Sequence, residues 1–373
     1  MVFEKNGVVV VGLQFGDEGK GKILDFLICP WDACVRFQGG PNAGHTIVRG
    51  QQKHVLHSLP TGMLHQKVDN YIGAGCVIDP EGLEKEIVNL KAEGAYHGRL
   101  FISPKAHIIT AEHKQQDSES EISREIGTTK RGIGPAYTDK SRRTGVRAGN
   151  VLDINSSTFR DNDVKFGDII DTFDFSRYDT VYYEGAQGTM LDVDHGSYPY
   201  VTSSNTVSGA ACTGAGVPPT HISTVIGVTK GYTTRVGSGP FPTEVTGAAG
   251  DHLGRVGNEY GSTTGRKRRC GWLDLVALRA AVRTNGVTGL AVTKLDVLTL
   301  PEIMVCTEYG PDGSPRYREF PGFGNDLSKV KTQKYLPRQV REYLDYISHY
   351  LDVPVFYASV GPDTEQTIVL SQE

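Results

Sequence analysis

Apolar residues fall along this chain in short β-branched runs, most of them closed by glycine or a polar turn. Val8–Gly12 is such a run and reads as a buried strand. Ala33–Phe37, Tyr71–Gly73, Leu100–Ile102, Thr180–Tyr183, Ile222–Gly227, Gly289–Thr293 and Val353–Ala358 repeat the pattern. Between them the period changes from two to about 3.6. Lys20–Leu27 suits a helix with Ile23, Leu24, Phe26 and Leu27 apolar. Trp272–Asn285 carries a broad stripe of Leu275, Val276, Leu278, Ala281 and Val282, with Gly286 as its stop. After Pro337, residues Val340, Tyr343, Leu344, Ile347 and Leu351 recur at helical spacing. Asn155–Arg177 and Thr246–Tyr260 lack a clear period and read as surface excursions. Strands alternating with helices predict a single large α/β domain over residues 1–373, with a central, mostly parallel sheet flanked by helices. Ligand loops are expected at the carboxyl ends of its strands.

Composition narrows the function classes. Lys plus Arg is 39 and Asp plus Glu 43, a net charge of −4, so a general nucleic-acid binder is disfavoured and any basic site must be local. The six cysteines show no Cys-x-x-Cys spacing, which fits reduced thiols rather than a disulfide framework or zinc site. No apolar stretch approaches the length of a membrane span, and the first residues do not form a signal sequence; a soluble, cytoplasmic protein with no membrane partner is expected.

The chemistry begins at Gly16-Asp17-Glu18-Gly19-Lys20-Gly21-Lys22, directly after the first strand. Its spacing approaches the phosphate-binding G-x-x-x-x-G-K, yet Ile23 stands where Ser or Thr would hold magnesium, and two acids sit in a loop suited to anions. Alone, it reads either as a tight strand–helix turn or as a P-loop-like cradle whose backbone N–H groups and helix dipole face a phosphate. Other segments stand out beside it: Asn42-Ala43-Gly44-His45-Thr46, Ile126-Gly127-Thr128-Thr129, Arg131-Gly132-Ile133-Gly134-Pro135-Ala136-Tyr137, Glu184-Gly185-Ala186-Gln187-Gly188, Asp194 to Asn205, Thr263-Thr264-Gly265-Arg266, Gly271-Trp272-Leu273-Asp274 and Thr293-Lys294-Leu295-Asp296.

Together and in this order, these segments resemble the adenylosuccinate synthetase family from one end of the chain to the other. The resemblance implies a carbon–nitrogen ligase that condenses IMP with L-aspartate, using GTP and Mg2+ and passing through a 6-phosphoryl purine. It makes Asp17 the base at the purine edge and a magnesium ligand, together with the Gly44 carbonyl. His45 becomes the general acid, with Lys20 and Gln187 beside the reacting atoms. The GTP site would comprise Gly16, Glu18, Gly19, Gly21, Lys22, Gly44, Thr46, Arg268, Lys294, Asp296, Ser359 and Gly361, although the Glu18 side chain is expected to support the loop rather than react. The purine monophosphate would meet Asn42, Thr129, Arg143, Gln187, Thr202 and Arg266, with Arg143 crossing from the neighbouring subunit of a homodimer. L-aspartate would meet Ser262, Thr263, Thr264 and Arg266, since an arginine fork matches a carboxylate. Asp296 would read guanine by accepting from N1–H and the 2-amino group.

Four departures qualify the match. Phe15 stands where many relatives have Trp, Pro41 where His is frequent, and Lys130 where Gly follows the paired threonines. The fourth is length: the 151–183 region is shorter than in long relatives, as in compact archaeal and viral forms, and a viral protein would act in its host's cytoplasm. The alternative function is a viral 2-aminoadenylosuccinate synthetase acting on dGMP with ATP or GTP. Retention of Asp17 favours IMP.

Overall fold

The computed structural model describes residues 6–172, 175–261, 265–324 and 326–371. The first valine run forms the centre of the sheet because both of its faces are covered. In β1 (Gly7–Gly12), Val9 and Val11 enter the largest apolar cluster while Val10 enters a second one on the opposite face. A strand buried on both faces has no polar side, which is why it reads as a continuous apolar run. The second cluster is closed by α1 (Lys20–Leu27), through Ile23 and Leu24.

The remaining strands of the sheet are β2 (Ala33–Arg36), β3 (Asp69–Ile72), β4 (Arg99–Ile102), β5 (Lys165–Phe166), β6 (Val181–Glu184), β7 (Ile222–Lys230), β8 (Gly289–Thr293), β9 (Val355–Ser359) and β10 (Thr367–Val369). They lie in the order β10-β9-β8-β7-β1-β6-β2-β3-β4-β5. All pairings are parallel except β9 with β10, so this is one α/β domain on a mostly parallel sheet. The chain runs one way from β1 towards β5 and the other way from β7 towards β10. Around β1 the order reverses, and in open α/β sheets ligands bind outside the carboxyl ends of the strands at such a point.

The eight strands read from the sequence are all present, with ends moved by up to three residues. The 272–285 helix begins later than its pattern, because the Asp274 side chain accepts from the Ala277 N–H and caps α3 (Leu275–Asn285). The last helix, α4 (Arg338–Leu351), buries Val340, Tyr343, Leu344, Ile347 and Leu351 as its spacing requires. The two presumed surface excursions are corrected. Residues 155–177 supply β5 at the sheet edge and bury Phe159 and Phe175. Residues 246–260 contain α2 (Gly247–Val256) and carry Glu259 into the interior. The cysteines are all free; Cys34, Cys76, Cys270 and Cys306 are buried, Cys212 is half-buried and Cys29 is exposed. No helix among the described residues is long and apolar enough to cross a membrane.

Candidate active site

The β1–α1 loop is held open from within by one of its own acids. Gly16, Asp17 and Gly19 have φ of 87°, 59° and 93°, a left-handed path that turns the chain sharply from strand into helix. Glu18 points inward and is wholly buried. Its Oε1 accepts from the backbone N–H of Gln14 at 3.1 Å and of Gly16 at 2.8 Å, and its Oε2 accepts from Lys20 Nζ at 2.7 Å. The carboxylate fits because two neighbours lack side chains. A Cβ on Gly12 would lie 2.2 Å from Glu18 Oε2, and one on Gly188 2.5 Å from Oε1. A buried carboxylate with this many donors is stabilised in place. The Glu18 carboxylate therefore ties the loop together from within. Asp17 faces the other way, one third exposed, with its Oδ2 2.7 Å from Arg268 Nε. The contact is an ion pair rather than an aligned hydrogen bond, since Arg268 Nε has no hydrogen-bond partner.

The two lysines of the loop are likewise occupied. Lys20 donates to Glu18 and to the Gln187 carbonyl. Lys22 reaches across the sheet to Ser359 Oγ and the Gly361 carbonyl, each at 2.6 Å, and to the Gln366 carbonyl at 3.2 Å. Burial pushes its ammonium down to about 7, with Asp296 and Asp363 pulling the other way. Lys22, expected at the GTP site, thus clasps the loop that follows β9 in this structure.

His45 opens a hairpin strand (His45–Arg49, paired with Gln52–Leu56) that lies against α1. The approach is close because a Cβ on Gly21 would sit 2.8 Å from His45 Cβ. His45 Nδ1 is bonded to Glu184, the last residue of β6, whose carboxylate also accepts from the Thr61 N–H at 2.8 Å, Thr61 Oγ1 at 3.1 Å and Cys34 Sγ at 3.3 Å. Burial lowers the His45 pKa and Glu184 opposes it. Burial alone would raise Glu184, but His45, Arg36 and the Thr61 amide outweigh it and hold the carboxyl at about 2. The carboxylate is the firm member of the pair, because Arg36 and Thr61 support it whatever the state of the imidazole. A neutral His45 donates from Nδ1 and keeps Nε2 as an acceptor; anionic phosphates arriving nearby favour the imidazolium.

A stability consequence follows from Glu184. Its folded pKa lies below the ordinary 4.5, so the stabilisation is complete above about pH 4.5 and lost as pH falls towards 2. Urea midpoints measured across that window should fall with acidification, and Glu184→Gln should flatten the slope. An unchanged slope would remove Glu184 from the acid response.

Gln187, at φ 58°, donates from Nε2 to Asn42 Oδ1 at 3.3 Å and so joins the loop after β6 to the loop after β2. Thr202 is held by its backbone N–H on the Leu191 carbonyl at 2.8 Å. Arg266 donates to the Gly127 carbonyl at 2.9 Å, two residues from Thr129. Arg143 ends the helix Ile133–Arg142 at φ 67° and is exposed. Lys130 also adopts a left-handed φ of 56°, a conformation that glycine would take at less cost. The expected aspartate ligands Ser262, Thr263 and Thr264 lie outside the described residues.

At the carboxyl end of β8, Lys294 takes φ 61° and starts the turn Leu295–Val297. Its Nζ donates to the Gly257 carbonyl at 2.6 Å. Asp296 Oδ1 is buried with no hydrogen-bond partner. Burial raises its pKa, while Lys294 and Lys22 act against that. A buried carboxylate oxygen without a donor costs free energy and stays free to accept a further N–H. Asp17 and the Gly44 carbonyl are oxygen donors suited to a hard cation. No group of three or more metal-binding side chains is present among the described residues, so a magnesium ion there would draw its other ligands from substrate phosphates and water.

One residue escaped the sequence reading altogether. Glu259, fully buried, accepts from Lys230, Tyr232 and Arg268. No motif or period marks it, and only the tertiary fold brings its partners together.

The adenylosuccinate synthetase family model matches residues 9–166 and 172–368. The chain is 43% identical to the adenylosuccinate synthetase of Thermodesulfovibrio yellowstonii, covering 97% of this chain and 98% of that protein. It is 44% identical to that of Christiangramia forsetii, covering 96% and 99%. The first alignment spans 417 positions, more than the 373 residues here, so the relative carries residues this chain lacks. The family match breaks between 166 and 172, inside the segment expected to be shortened. The fully ligated adenylosuccinate synthetase of Plasmodium falciparum superimposes with a TM-score of 0.89 at 35% identity, covering 98% of this chain and all of that one. The cyanophage S-2L succinoaminodeoxyadenylate synthetase, bound to dGMP and dATP, gives 0.74 at 23% identity, covering 99% and 96%, a likeness of fold alone. The chain belongs to the adenylosuccinate synthetase family.

Proposed function

We propose that this protein is a GTP-dependent ligase that joins IMP and L-aspartate into adenylosuccinate, releasing GDP and phosphate, in the cytoplasm. The observation that supports it most directly is the meeting of Asp17, Lys20, Gln187 and the His45–Glu184 pair at the carboxyl edge of β1, β2 and β6, beside the unpaired Asp296 oxygen. In this reading Asp17 takes the N1 proton while the 6-oxygen attacks the γ-phosphoryl group, turning a poor leaving group into a good one. His45, oriented by Glu184, gives a proton or hydrogen bond to the oxygens that gain charge. Gln187 and Asn42 align the purine nucleotide, with Thr129, Thr202 and Arg266 towards its phosphate and ribose. The aspartate amine then displaces phosphate at the same carbon, its carboxylates held by Arg266 and the 262–264 segment. Gly16, Gly19, Gly21, Lys22, Thr46 and Arg268 serve the GTP phosphates, while Lys294, Asp296, Ser359 and Gly361 enclose guanine.

Bound at Asp17 and Gly44, Mg2+ would neutralise phosphate charge and fix phosphate orientation. For Asp17 to act, its ion pair with Arg268 must loosen. Glu259 supplies Arg268 with a second anion, so the arginine is not left unpaired.

Incubation with aspartate, Mg2+ and GTP, comparing IMP with dGMP, tests the reading. Turnover of IMP is expected, and turnover confined to dGMP would replace it with the viral-type reaction. The proposal includes a homodimer in which Arg143 completes the neighbouring site. Mixing inactive Arg143→Leu and Asp17→Asn subunits should then restore about a quarter of the wild-type rate, the share of sites in an equimolar random mixture that draw intact Asp17 and Arg143 from different subunits. No recovery despite demonstrated subunit exchange would refute the shared site.

A further inference from the structure

We infer that Glu259 is a positioning residue that fixes Lys294, at the start of the guanine-side turn, and the arginine facing Asp17 relative to one another; this rests on the GTP-site reading above. Its carboxylate is shared among four groups. Lys230 Nζ lies 3.0 and 2.9 Å from its two oxygens, Arg268 Nη1 is at 2.6 Å, Tyr232 OH bonds Oε1, and Lys294 Nζ is 3.8 Å from Oε1. The same short turn grips both ends a second time. The Gly257 carbonyl accepts from Lys294 Nζ at 2.6 Å, and the Glu259 carbonyl accepts from the Arg268 N–H at 2.9 Å. Arg268 continues to Asp17, while Lys294 begins the turn that carries Asp296.

The chain Asp17–Arg268–Glu259–Lys294 thus runs from the acid assigned to the purine edge to the turn that carries Asp296, with Glu259 wholly buried. Lys230, equally buried, and Tyr232 hold that link from the interior side. Neutralising Glu259 leaves Lys230, Arg268 and Lys294 around an uncharged group. Among the described residues Arg268 then keeps Asp17 as its carboxylate partner, and Lys294 keeps the Gly257 carbonyl. Two effects should appear together: weaker discrimination for guanine, and a slower step at Asp17. A residue that only fills space would change stability and neither of these.

The test compares GDP and ADP binding by calorimetry, with turnover of IMP, for wild type, Glu259→Gln and Glu259→Asp, each checked by circular dichroism. Glu259→Gln should lower the GDP-over-ADP preference about tenfold and kcat by a similar factor, the size expected for groups coupled in one network. Glu259→Asp keeps the charge but shortens the reach, and should move both readouts the same way by less. A folded Glu259→Gln with unchanged preference and kcat overturns the inference. Should that variant fail to fold, an unchanged preference and kcat in folded Glu259→Asp overturns it instead. Wild-type protein that does not distinguish GDP from ADP would instead remove the guanine-site reading itself.

Discussion

Asp17→Asn should fold like the parent and lose at least ~1,000-fold in kcat, since a positioned base supplies factors of about 100 to 10,000 and this one is also assigned to the metal. The fold survives for a local reason. Asp17 sits at φ 59°, where asparagine is among the residues that tolerate a left-handed backbone. Its side chain is one third exposed, and its ion-pair partner Arg268 keeps Glu259. The melting temperature should therefore change by no more than ~2 °C, as for an exposed substitution in a chain this long. Asparagine keeps the size and one acceptor but cannot take a proton. Rates within tenfold of the parent, with all three substrates saturating, would show that the base lies elsewhere.

Asp296→Asn should move stability and activity in opposite directions. The parent buries a carboxylate oxygen with no partner, and burial raises its pKa, so the charged group opposes folding near neutral pH. A neutral amide of the same shape relieves that cost, and the unfolding midpoint should hold or rise. For the nucleotide the exchange is unfavourable. Guanine offers two N–H donors, and the amide returns one acceptor and one donor, leaving buried groups facing without a bond. Sites of this kind discriminate by large factors, so kcat/KM for GTP should fall at least ~100-fold. Its advantage over ATP should shrink with it. A variant that loses stability and keeps its GTP preference would mean that Asp296 packs the turn and does not read the base.

The strands were legible because a parallel sheet covered on both faces needs unbroken apolar runs, and Val8 to Val11 or Leu290 to Val292 have no other use. The first loop was legible as a phosphate-type turn, although the separate duties of Asp17 and Glu18 were only partly so. Glu18 is buried by Gly12 and Gly188, one before the loop and one far along the chain, and no local pattern joins these three. α2 was missed for a plainer reason. Its sequence, GAAGDHLGRV, holds three glycines, which disfavour a helix by about 1 kcal/mol each. Packing of Leu253 into the main core supplies what propensity lacks. β5 is two residues long and exists only by pairing with β4, so a local reading had nothing to find. The hairpin Glu302–Tyr309 with Pro315–Pro321 is different, because its connecting Gly310-Pro311-Asp312-Gly313 is a recognisable turn signal.

The clasp of Lys22 on residues 359–366 bears on when the protein becomes competent during its synthesis. The bonded atoms lie 337 to 344 residues apart, and Asp25 with Thr364 adds a further tie at 339. Synthesis proceeds at about 5–20 residues per second, so the loop that emerges first waits on the order of half a minute for its last partner. Within that interval Glu18 can find the Gln14 and Gly16 amides at once and β1 can pair when residues 181–184 and 222–230 have emerged, but the guanine side of the site cannot close. The nascent chain should therefore close the guanine side of the site only once residues 359–366 have emerged.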